Sequence, residues 1–112
     1  MKAAGLDRLQ ALADLRAQRS GQVLARAQTA IADLEARADG LRAPLAPAQD
    51  IESEIARDRH GRWRTNQLRR LNLEIAGRRA HAEPLRKAHG RDRARAEVLE
   101  RLRAEGPSRS GR

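Results

Sequence analysis

From Leu24 the apolar positions Leu24, Ala27, Ile31, Leu34, Ala38, Leu41 and Leu45 follow one another at alternating steps of three and four. That is an a/d seam sustained for three heptads, the pattern that keeps one stripe of an α-helix facing a partner helix. Carried back in the same phase it lands on Ser20, Ala17, Ala13, Gln10 and Leu6, while Leu9, Leu12 and Leu15 widen the apolar face. The spacing predicts one helix over residues 4–42, about 60 Å long at about 1.5 Å per residue.

The stretch DGLRAPLAPAQD ends that helix. Pro44 and Pro47 each lack an N–H and clash with the turn before them, and Pro47 suits the first position of a new helix. A tight reversal is therefore predicted at residues 43–48. A competing reversal lies near residues 58–62, in RHGRW, because the first seam can be extended through Ala48 to Ile55 and the step from Ile55 to Leu68 fits no unbroken pattern. Helix-interior proline costs about 3 kcal/mol against about 1 for glycine, which favours the reversal at 43–48.

A second seam runs through Leu68, Leu71, Ile75, Arg78, Ala82, Leu85 and His89 and resumes at Ala96, Leu99 and Leu102. It predicts a helix over 49–104, with a kink or a fresh start near Pro84, where proline removes a backbone bond. The polar end GPSRSGR reads as a flexible tail over 106–112. Two such helices joined by a short connection bury their stripes against each other, so the expected fold is all-α: an antiparallel two-helix coiled-coil hairpin over residues 1–105 with a disordered C-terminal tail. Alanine at many seam positions allows close approach but buries little area, so the hairpin should be marginal alone. Dimerisation into a four-helix assembly is a competing way to cover the same stripes.

Composition narrows the choice of fold. Leu, Ile and Val number 20 of 112 residues and Phe is absent, too little apolar material for a sizeable globular core. Ala, Glu, Lys, Leu and Arg together make 68, the signature of long helices, and the periodicity decides for helix over disorder. With no Cys, disulfides, thiolate zinc sites and thiol catalysis are excluded. The longest charge-free run, APLAPAQ, is far short of the roughly 18 residues that span a bilayer, and the N-terminus has no signal-like apolar segment, so a cytoplasmic location is expected.

Charge then separates the two halves. Residues 1–56 hold seven basic and eight acidic side chains, residues 57–112 seventeen and seven. Arg62, Arg69 and Arg70 fall well away from the Leu68, Leu71 and Ile75 stripe on a helical wheel, whereas Arg64 lies over it, able to cover it with its stem or to reach past the end of the hairpin. Exposed arginines of this kind are either a solvated coiled-coil face or a surface for something acidic, and their excess over lysine, 22 to 2, is also what a GC-rich genome produces. Nucleic acid is one acidic partner, bound nonspecifically through phosphate. A basic zipper is excluded by Pro84 and Gly90, and one Trp cannot stack a single strand. An acidic protein surface is the other.

Trp63, beside Gly61, either packs over the flank of the hairpin or anchors in a partner's pocket. His60, His81 and His89 read as ordinary polar residues, since His81 and His89 are eight apart and do not share a helical face as metal ligands would. No phosphate loop or nucleophile motif is present, Glu52 and Glu54 suit a helix first turn, and no catalytic residue, metal or cofactor is expected.

The order of parts, LDRLQALADLRAQRSGQVLARAQTAIADLEARADGL followed by RWRTNQLRRLNLEIAGRRAHAEPLRKAHGRDRARAEVLERL, resembles the FliJ/YscO-like family of flagellar and type III export stalk proteins. The resemblance covers nearly the whole chain, which is shorter than typical flagellar members and carries prolines they do not suggest. It implies a non-enzymatic antiparallel coiled coil that enters the pore of a hexameric export ATPase at the membrane periphery and also meets the export gate or export chaperones. In that setting Arg62, Arg69, Arg70, Arg78 and Arg79 would supply electrostatic attraction and Trp63 an anchor.

Overall fold

The computed structural model describes the backbone of residues 3–110 and the side chains of residues 3–106. Two helices account for nearly all of it: α1, Ala3–Arg42, and α2, Ile51–Ser110. The protein is all-α, and the helices pack antiparallel within each of two compact units. Unit 1 is Met1–Ala27 with His81–Arg112, and unit 2 is Gln28–Ala80.

The reversal between the helices occupies residues 43–50. Its start agrees with the proline argument: a residue before proline avoids the α region, so Ala43 leaves the helix ahead of Pro44 after its N–H has met the Gly40 carbonyl at 3.4 Å. Its end lies two residues later than expected. Pro47 stays in the connection, and Asp50 begins α2 as the N-cap, accepting the Ser53 N–H at 2.6 Å on its carboxylate and the Glu54 N–H at 3.0 Å on its carbonyl. Glu52 and Glu54 sit in the first turn, where the helix dipole favours acid.

The rival reversal near 58–62 is helical throughout, so one glycine does not break this helix. Nor does α2 start afresh at Pro84, which is exposed inside it. Proline has no N–H for the Ala80 carbonyl, but Ala80 is also exposed and water can take that place. The helix continues to Ser110, beyond the expected end at 104, so residues 106–110 of the expected tail are helical in backbone. Residues 111–112 lie outside the described residues.

In unit 2, Leu34, Ala38 and Ile75 form the buried cluster, with Leu68 and Leu71 packed against it. Ala38 is wholly buried. Its methyl lets the helices approach closely, as the seam predicts. One margin is held by the Arg79–Glu35 ion pair and by Arg42, which donates to Asn72 at 3.3 Å.

Unit 1 has smaller and more polar packing. Ala13, Leu24 and Ala96 are buried, and so is Gln10. Gln10 Nε2 donates to the Ala96 carbonyl at 3.2 Å and to Asp14 at 3.0 Å, but its Oε1 is buried without a partner. Ser20 Oγ donates to the Ala17 carbonyl at 3.2 Å, which spends its only proton. The same hydroxyl oxygen stands 3.1 Å from His89 Nδ1, a hydrogen bond between the two helices. Gly21 makes room for that ring: a Cβ there would stand 3.0 Å from His89 Cε1. Leu9, Leu12 and Leu15, expected to widen the apolar face, are instead 38%, 64% and 43% exposed.

Candidate interaction surface

The six residues singled out by sequence all lie on α2 in unit 2. They do not converge. Arg62 and Arg69 line one open groove of about 1010 Å³ together with Leu45, Ile51, Ile55 and Asp58. Trp63 and Arg70 are not part of it. Trp63 is half exposed and stacks on His60, one turn back, with ring centroids 5.4 Å apart and planes at 28°.

Several of these arginines are also engaged. Arg62 pairs with Asp58 at 2.9 Å, Arg78 with Glu74 at 3.8 Å and Arg79 with Glu35 across the two helices. All three pairs are solvent-exposed, where such contacts contribute about 0–1 kcal/mol, so an acidic partner can exchange them at little cost. Arg69 and Arg70 are exposed without an ion-pair partner among the described residues.

Arg64 has a structural task. Its Nε donates to the Leu41 carbonyl at 2.6 Å and its Nη2 to the carbonyls of Leu41 and Ala43, the latter at 2.7 Å. These are carbonyls at the C-terminal end of α1, which have no intrahelical donor. The guanidinium both satisfies them and places a positive charge at the negative end of the helix dipole. Its place over the apolar stripe is visible in sequence; the carbonyls it reaches belong to the other helix and are not.

The charge excess is divided differently in space than along the chain. Unit 1 holds fourteen basic and seven acidic residues, unit 2 ten and eight. The arginine-rich second half of the chain is thus shared between the units, and most of the net charge sits in unit 1. Among the described residues no cluster of three or more His, Asp or Glu side chains is placed to hold a metal ion, and no helix is long and apolar enough to cross a membrane.

Comparisons with family models, with curated proteins and with solved structures find no match to this chain.

Proposed function

We propose that this chain is a non-enzymatic helical adaptor that binds acidic protein partners in the cytoplasm, with flagellar or type III export as the setting and the export ATPase ring as the first partner to test. The observation that carries it is the pairing of a thin, alanine-rich interhelical seam with a large excess of exposed arginine. Buried Ala13, Ala38 and Ala96 let two helices close on each other. The charge that remains outside, net +9 for the chain, is far more than that seam requires. Such charge steers and orients association with an acidic surface.

Size-exclusion chromatography of the chain with purified export ATPase, in each nucleotide state, tests the setting. A shared elution peak supports it; separate peaks in every state remove it. Nonspecific nucleic-acid binding is the second reading, favoured by the same unpaired arginines. It requires retardation of duplex DNA or RNA at 50 mM salt that weakens steeply as salt rises. Failure to retard either one at that salt eliminates it.

A further inference from the structure

Unit 1 carries a second helical stripe on each helix. On α1 the positions Leu9, Leu12, Arg16, Arg19 and Val23 follow each other at steps of three and four, one place away from the buried seam. On α2 the same spacing runs through Ala88, Arg91, Arg95, Val98 and Leu102. Apart from Ala88, which is half-buried, all of these residues are exposed. Leu9, Leu12 and Val23 are 38%, 64% and 45% exposed, more than aliphatic side chains at regular helical spacing need be.

Both stripes emerge on the same side of the unit. Each stripe precedes the buried seam of its helix by one residue, an offset that falls on the same flank of both helices in an antiparallel pair, and Arg16 reaches Asp92 across the helices at 3.6 Å. Leu9, Leu12, Arg19 and Val23 stand on the stripe of Arg16, and Arg95 is one turn from Asp92. On α1, Asp7 stands about half a turn round from Arg16 and pairs with Arg103 at 2.8 Å. Antiparallel register then sets the stripes in layers: Leu9 with Leu102, Leu12 with Val98, Arg16 with Arg95, Arg19 with Arg91. An aliphatic patch two layers deep thus adjoins four guanidinium groups, of which only that of Arg16 has an ion-pair partner among the described residues.

We infer that this face of unit 1 docks an acidic amphipathic helix of a partner protein, laid as a third helix in the groove between α1 and α2. Seams at heptad spacing on two neighbouring helices are what a third helix packs against. The layer order specifies the occupant: apolar residues on two successive turns, then Glu or Asp on the next two. Charge argues against a second copy of this face, because bringing the two faces together in register would stack arginine layers on arginine layers. Phosphate has no use for the aliphatic layers, and a flat lipid surface does not match a concave groove. The inference rests on the adaptor reading and narrows it to one surface and one class of partner.

The test uses the full chain and a synthetic helical peptide with Leu at the first two contact layers and Glu at the next two, titrated by fluorescence anisotropy at physiological salt. A peptide with Lys in place of Glu, phosphatidylserine vesicles and duplex DNA are titrated in parallel. The acidic peptide should bind, and L12D and R95E should each weaken it by about tenfold or more, the loss expected of a central contact. L73D, at an exposed leucine in unit 2, should leave it unchanged. Equal binding of the lysine peptide, no binding of the acidic one, indifference to both L12D and R95E, or preference for vesicles or DNA would overturn the inference. So would a wild-type dimer in light scattering that L12D makes monomeric. Co-elution with export ATPase is scored separately. If wild type fails to co-elute, the export setting falls; if L12D and R95E co-elute as wild type does, the adaptor stands with the ATPase docked elsewhere, and in either case the peptide titration decides for or against the face.

Discussion

Replacing Gln10 by Leu should stabilise the protein. Gln10 occupies a buried seam position, yet its Oε1 has no partner, and a buried orphan acceptor costs about 1–3 kcal/mol. What its amide gains is modest. The bond to Asp14 is to an exposed carboxylate, and the bond to the Ala96 carbonyl is worth about 0.5–1.5 kcal/mol net. That carbonyl lies inside α2 and keeps its intrahelical donor when the glutamine is gone. Leucine has nearly the same volume, so no cavity opens, and its apolar end gains from burial. The balance is about 1–2 kcal/mol in favour of Q10L, or roughly 5–10 °C in Tm for a unit of this size. Thermal and urea unfolding followed by circular dichroism at 222 nm measure it. Gln10→Ala serves as the contrast, because it removes the same oxygen but leaves a gap opposite Ala96. A Tm for Q10L at or below that of wild type would refute the reasoning and assign the glutamine a positive role in fixing register, as polar seam residues do in other coiled coils.

Further expectations follow from particular contacts. Arg64→Ala should destabilise the chain by about 1.5–3 kcal/mol, the range for hydrogen bonds to a charged group, and Arg64→Lys should recover only part, since an ammonium lacks the planar fork that reaches Leu41 and Ala43 together; urea unfolding compares the three proteins. Gly77→Ala and Gly90→Ala meet open space inside α2 and should each add about 0.5–1 kcal/mol, whereas Gly21→Ala should gain less or lose, because its methyl displaces the His89 ring from Ser20; the ring shift would show in the His89 resonances. Asp50 should titrate below its ordinary 3.8, held there by the hydroxyl and then the N–H of Ser53. Because the folded value is the lower one, its stabilisation of α2 is complete above the unfolded pKa and is lost as pH falls through the folded one. Carbonyl-detected NMR titration from neutral pH downward reads the midpoint, and a value at or above that of an unfolded peptide would contradict the cap.

Much of the fold is legible in the spacing of small and apolar residues. Every position of the first seam, from Leu6 through Gln10, Ala13 and on to Leu45, is buried or half-buried, because period alone fixes which stripe of a helix faces its neighbour. The second seam is legible with gaps. Arg78 and Leu102 remain exposed where the pattern placed them inside, and Asp92 is half-buried through its pair with Arg16 though nothing in its type announces it. The candidate arginines were legible as exposed, but not as engaged: Arg79 and Glu35 are 44 residues apart, and only the antiparallel register brings them together.

The chain by itself determines that there are two helices, where the first ends, and which stripe each one buries, since these follow from local sterics at Pro44 and from helical period. Tertiary structure decides what the remaining side chains do. It turns Arg64 from one more cation into the cap of α1, lodges His89 against Gly21 and Ser20, and pairs Arg16 with Asp92 across the two helices. Those outcomes depend on the register between helices, which is set by the sum of contacts along both seams and cannot be read from either helix alone.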